Sequence, residues 1–219
     1  VVLEQLPDVY IARLYVTPVK TDMGWQAQVK AAVCNLTDRE LSCQMTLSID
    51  GLAQTTLPVE LSPDKGRAVS ATLDCPDAEP WQPLNPKLYT ITAQLEMDGQ
   101  PVDDLIDRMG FRQVQVEGKD ILFNGEKLLL KGFNRHEDYG SFGCAIPLSA
   151  MQQDLDLMLD LGCNCVRTCH YPNDPRFLDL CDELGILVWE ESHARGLTEE
   201  QMRNPYFMEQ TLLCTREMV

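Results

Sequence analysis

The chain has 219 residues, 44% of them hydrophobic and 24% charged, enough for one or two domains with ordinary cores. Lys and Arg number 18 against 34 Asp and Glu, a formal charge of −16, which argues against nucleic acid or an anionic membrane as partner. The apolar runs are far too short to span a bilayer, and nine cysteines in mostly apolar strand and helix positions suggest reduced thiols and a cytoplasmic location rather than a disulfide framework.

Residues 1–112 read as all-β. Ala27, Val29, Ala31 and Val33 alternate with more polar neighbours, as do Met45, Leu47 and Ile49, and then Ile91, Ala93, Leu95 and Met97. Period-two alternation puts one face on a core and the other in water. Further strands are expected at 9–16, 55–61, 67–73 and 104–111, with turns at Asp50-Gly51 and Asp98-Gly99. Seven short strands at this spacing predict an immunoglobulin-like sandwich. The Pro-rich stretch 75–86 reads as a surface connection. This half contains no His and no catalytic constellation. The opening Val1-Val2-Leu3-Glu4 predicts a sequence cut from something longer.

Residues 113–219 begin with a hairpin turning at Asn124-Gly125 and then change period. Leu128–Phe133, Cys163–Arg167 and Ile186–Trp189 read as apolar strands that run into Asn134-Arg135-His136-Glu137, Thr168-Cys169-His170-Tyr171-Pro172 and Glu190-Glu191. Helices lie between them. One opens at a Ser149-x-x-Gln152 capping box and ends at Gly162. A second starts at Asp174-Pro175 and ends at Gly185, and a third is capped by Thr198-x-x-Gln201. The order β-α-β-α-β-α requires parallel strands. Three such units make either a small open α/β domain or the start of an eight-stranded barrel. In both, residues just past the strand ends gather at one mouth of the sheet, where catalytic groups collect. Cys163-x-Cys165 with Cys169 is not read as a zinc site, because a buried Cys usually packs as a small apolar group.

These motifs, together with Gly110-Phe111-Arg112, Leu180-Cys181-Asp182-Glu183-Leu184-Gly185 and Val188-Trp189-Glu190-Glu191, resemble the family 2 glycoside hydrolases: β-galactosidases, β-glucuronidases and β-mannosidases. The Asn-Arg-His-Glu and Arg-x-x-His-Tyr-Pro forms lean toward the β-galactosidase branch. The resemblance implies a multi-domain fragment, with the immunoglobulin-like sandwich over 1–112 followed by the first three β/α units of a TIM barrel over 113–219. It implies that His136 and His170 bind sugar hydroxyls and that Arg167 keeps a catalytic carboxylate ionised. Glu191 would pair with Arg167 or bind a hydroxyl, Asn134 and Arg135 would shape the loop, and Trp189 would be core.

The reaction of this family needs two carboxyl groups about 5–5.5 Å apart. The Asn-Glu pair that carries the acid/base is missing from this sequence, so the resemblance places both the acid/base and the nucleophile beyond Val219. It implies no cofactor in this stretch. Magnesium is possible in the parent, but Glu191-Ser192-His193-Ala194-Arg195-Gly196 aligns with no ligand set, so no metal ligand is carried over. The implied partner is a β-galactoside or related carbohydrate, acted on by a homo-oligomer. The alternatives are a β-glucuronide or β-mannoside as substrate, or a non-catalytic carbohydrate-binding or assembly module.

Overall fold

The computed structural model describes residues 3–192 and 194–218. They fall into two compact units. One runs to Trp81 and resumes over Lys87–Leu128; the other takes Gln82–Pro86 and continues from Leu129.

The first unit holds β1 (Val9–Thr21), β2 (Gly24–Asn35), β3 (Leu41–Ile49), β4 (Ala53–Leu61), β5 (Lys65–Cys75), β6 (Tyr89–Met97) and β7 (Gln100–Met109). They form two antiparallel sheets, β1-β2-β5 and β4-β3-β6-β7, the expected immunoglobulin-like sandwich. Alternation sets the core: Trp25, Ala27, Val29, Ala31 and Val33 are buried while Gln28 and Lys30 are exposed. Met45, Leu47 and Ile49 join Ile91, Ala93 and Leu95 in the same core. The Phe111 ring lies 5.7 Å from Trp25 and 5.6 Å, edge-on, from Tyr89. A short sheet of β8 (Val114–Glu117), β9 (Asp120–Phe123) and β10 (Glu126–Leu128) closes the unit. Its turn has Asn124 at φ 52° and Gly125 at φ 88°, the left-handed pair that a two-residue hairpin demands.

The second unit is a parallel sheet of β11 (Gly132–His136), β12 (Cys165–Cys169) and β13 (Leu187–Trp189) in that order. Helices α1 (Leu148–Asp160) and α2 (Pro175–Leu184) make the crossovers, and α3 (Glu199–Met202) and α4 (Phe207–Met218) follow. Met151, Leu155 and Met158 of α1 and Phe177 and Cys181 of α2 pack with Val166 and Ile186. Gly132 allows β11 and β12 to approach, since a Cβ there would stand 1.8 Å from the Cys165 carbonyl oxygen. No helix among the described residues is long and apolar enough to cross a membrane.

Two local expectations are corrected. The first barrel strand begins at Gly132, not Leu128. Leu128 ends the preceding hairpin, and Leu129 is 71% exposed. The Asn164 side chain occupies the backbone there, accepting from Lys131 N and donating to Leu129 O. The Ser149 capping box does not form either. Pro147 is the N-cap in extended conformation, and its carbonyl accepts from Ala150 N and Met151 N, so Ser149 lies inside the helix. The other two starts follow the sequence: Asp174 caps α2 through Arg176 N, and Thr198 and Gln201 make a reciprocal box at α3.

Candidate active site

The strand register builds the site. Asn134 lies beside Arg167, Arg167 beside Trp189, and His136 beside Cys169. Because alternate residues point to opposite faces, Asn134, His136, Arg167, Cys169 and Trp189 share one face. Arg135, Val166 and Thr168 take the other and are buried. His136 is the last residue of β11, His170 directly follows β12, and Glu191 follows β13. All three therefore sit at the carboxyl ends of parallel strands, where β/α folds carry their chemistry.

The four expected site residues come together. Arg167 Nε donates to Glu191 Oε1 at 2.7 Å, and His170 Nδ1 lies 3.1 Å from Glu191 Oε2. Arg167 Nη2 is 3.4 Å from the same His170 nitrogen. One nitrogen cannot both donate to the carboxylate and accept from the guanidinium. The shorter contact assigns Nδ1–H to Glu191 and leaves Nε2 as the unprotonated nitrogen. The His136 and His170 rings meet edge to face with centroids 5.2 Å apart. The Arg167 hydrogen bond, aided by His170, holds the Glu191 carboxyl below its ordinary range. In turn Glu191 raises Arg167. Burial pushes the adjacent Glu190 the other way, opposed by a backbone hydrogen bond from Asn173. The pair of acids is thus one bound anion and one group whose charged form burial disfavours.

Sequence reasoning missed four participants. Asn134 Oδ1 accepts from Arg167 Nη1 at 3.2 Å, so it orients the guanidinium rather than shaping a loop. Cys169 Sγ accepts from the same nitrogen at 3.4 Å. Trp189, expected in the core, is 54% exposed, because the register puts it on the Arg167 face; with Phe133, Asn134 and Arg167 it lines a cavity of about 190 Å³. Arg135 is the fourth, and only 4% exposed. Its Nε donates to Asp154 Oδ2 and its Nη1 to Asn173 Oδ1, both at 2.9 Å, and its guanidinium lies 4.0 Å over Phe177. Glu137 is 3.9 Å away and accepts from Asp174 N. Arg135 therefore ties β11 to α1, to α2 and to the loop after β12. The strand parity of residues 134–136 was the available signal.

Among the described residues one group of donors could hold a metal: His136, Cys169 and His170, with ligand atoms within 4.8 Å of one another. Nitrogen and sulfur do not fit magnesium, which takes oxygen ligands in octahedral geometry, and the Glu191 oxygens already serve Arg167 and His170. His193 lies outside the described residues.

The family described as "Glycosyl hydrolases family 2" matches residues 9–112, and "Glycosyl hydrolases family 2, TIM barrel domain" matches residues 114–213. The crystal structure of a GH2 beta-galacturonidase from Eisenbergiella tayi bound to galacturonate is 50% identical, with a TM-score of 0.94 over 98% of this chain and 38% of that one. A beta-galactosidase of Photobacterium profundum is 30% identical over 203 residues, 88% of this chain and 20% of its own length. One from Kluyveromyces lactis is 36% identical over 135 residues, 61% of this chain and 13% of its own. The chain spans about a quarter or less of these curated relatives. With the two family matches lying in order along the sandwich and the β/α units, the chain belongs to glycosyl hydrolases family 2 and comprises its immunoglobulin-like domain and the start of its TIM barrel.

Proposed function

We propose that this chain supplies the sugar-orienting wall of a retaining exo-β-glycosidase specific for a terminal β-galacto-configured sugar, with a β-galacturonide as the preferred substrate. The observation that carries the sugar assignment is the 50% identity, over 98% of the chain, with the beta-galacturonidase bound to galacturonate. A neutral β-galactoside is the second reading, favoured by the beta-galactosidases of Photobacterium profundum and Kluyveromyces lactis.

In this reading His136 and Nε2 of His170 bind hydroxyls of the ring as it flattens toward the oxocarbenium ion, contacts that strengthen in the transition state. Glu191 holds His170 in the required tautomer. Arg167, oriented by Asn134 and Glu191, provides the fixed cation that keeps a neighbouring carboxylate ionised. Glu191 is itself too engaged to serve as nucleophile, since both oxygens are held. The acid/base and the nucleophile come from residues beyond Val219. The 219-residue chain alone therefore does not turn over substrate, because orienting groups cannot replace a covalent step.

The test is release of nitrophenol from aryl β-galacturonide, β-galactoside, β-glucuronide and β-mannoside by the parent enzyme and by the 219-residue chain. Galacturonide should give the highest kcat/KM with the parent, and the chain alone should give background. A parent that prefers the glucuronide or mannoside overturns the galacto assignment. Turnover by the chain that survives repurification and is lost in His136→Ala overturns the division of labour.

A further inference from the structure

We propose that His136, Cys169 and His170 form a binding site for zinc, and that zinc bound there closes the sugar site. The register places His136 on β11 directly beside Cys169 on β12, and His170 is the next residue. One ring nitrogen of each His and the Cys169 sulfur lie within 4.8 Å of one another. Tetrahedral zinc, at about 2.0–2.1 Å from nitrogen and 2.3 Å from sulfur, needs donors roughly 3.5 Å apart. Closing the difference takes a side-chain rotation of about an ångström, and His136 is exposed and sits at the end of its strand.

The surroundings suit the metal. Two imidazoles and a thiolate are the borderline-soft set that favours zinc over magnesium or calcium. Glu191 Oε2 accepts from His170 Nδ1–H across 3.1 Å, the carboxylate–histidine arrangement that fixes the other nitrogen as a ligand. Arg167, 3.4 Å from the Cys169 sulfur, opposes a dication. That charge is offset by Glu191, which is bonded to the same guanidinium, and by the thiolate. Binding displaces the Cys169 proton to solvent. Three protein ligands leave the fourth position to water, on the face where His136 and His170 would otherwise meet hydroxyls.

Zinc binding is read directly, whereas inhibition rests on the glycosidase reading, so the two can fail separately. The 219-residue chain is titrated with zinc against a competing chromophoric chelator, and with cobalt(II) as a spectroscopic probe. The site predicts intense visible bands of tetrahedral cobalt and a near-ultraviolet thiolate-to-cobalt band. Cys169→Ser should abolish the thiolate band, and His136→Gln should weaken zinc by at least about 10-fold. His136→Gln changes an exposed side chain, and its circular dichroism confirms that it folds. Zinc that binds equally to wild type and His136→Gln, or cobalt without a thiolate band, overturns the site. In the parent enzyme zinc should inhibit reversibly and chelator should restore activity. Full activity with the site measurably occupied overturns the closure and leaves the metal site standing.

Discussion

Replacing Arg135 by Met should destabilise the β/α unit by about 3 kcal/mol and leave the sandwich unchanged. Arg135 makes two hydrogen bonds at 2.9 Å, to Asp154 and Asn173, and stacks 4.0 Å over Phe177. Charge-assisted bonds of this kind are each worth about 1.5–3 kcal/mol, and a desolvated cation–π contact about 2. Against this gross gain stands the desolvation of a guanidinium that is only 4% exposed and whose Nη2 has no hydrogen-bond partner. Met recovers that desolvation and still covers the Phe177 ring. Removing one partner of a buried pair costs roughly 3–5 kcal/mol. Here the lower end applies, because the Asp154 side chain is 26% exposed and water can solvate what is left. Arg135→Lys should fall between, since an ammonium keeps the charge but cannot serve two acceptors in one plane. Native-state hydrogen exchange separates the two units. Amides of Val166, Thr168 and Cys181 should lose roughly 100-fold in protection, the equivalent of about 3 kcal/mol. Those of Val29, Met45 and Leu95 should not change. A loss below about 1 kcal/mol, or an equal loss in both units, would refute the view of Arg135 as the tie between β11 and its helices.

Three further outcomes are expected. In the parent enzyme His136→Ala and His170→Ala should each lower kcat/KM on the order of 100-fold, and near wild-type kinetics in either would remove that residue from the sugar wall. Glu191 has its folded pKa depressed below the ordinary 4.5 by Arg167. Its pairing therefore stabilises the fold above that value and is lost as the pH falls through the depressed one; urea midpoints of wild type and Glu191→Gln should converge in acid, and a constant gap would contradict the assignment. The β/α unit should self-associate, because Trp189, Met208, Leu212 and Leu213 are 54%, 64%, 47% and 53% exposed and both edges of its sheet lack a neighbouring strand among the described residues. A monodisperse monomer in light scattering would show that three β/α units stand alone.

Strict alternation made the sandwich legible, because β2, β3 and β6 each bury one face and wet the other, and Asn124-Gly125 and Asp98-Gly99 take the positive φ their turns require. The parallel sheet was legible only in order. Its strands are short and flanked by apolar residues, so hydrophobic runs do not mark their ends. Leu128-Leu129-Leu130 reads as a strand, yet Leu129 is held exposed by the Asn164 side chain. A four-residue shift in where β11 starts, from Leu128 to Gly132, leaves parity intact, and this is why His136, His170, Arg167 and Glu191 converge as expected even though the boundaries moved. What parity alone could not supply was register between strands. That Asn134, Arg167 and Trp189 form one row is a property of the pairing and not of any one segment, so Trp189 passed for core.

The arrangement of β11 explains how a short edge strand can hold a histidine still enough to serve. Asn134 and His136 face the site, and Arg135 between them is clamped on the opposite face by α1, α2 and the loop after β12. Parity forces this division: an anchor one residue from the working histidine must point away from it. A register slip by one residue would carry the buried guanidinium into the site and the imidazole under the helices, at the cost of leaving Asp154 and Asn173 without their donor. The Arg135 network therefore specifies register as well as stability. Gly132 enforces it from the other end, since any side chain there would collide with the Cys165 carbonyl. The position of His136 is thus set by residues on the opposite face, and under the proposed sugar-binding role substitutions at Arg135 or Gly132 should damage binding through position rather than through lost chemistry.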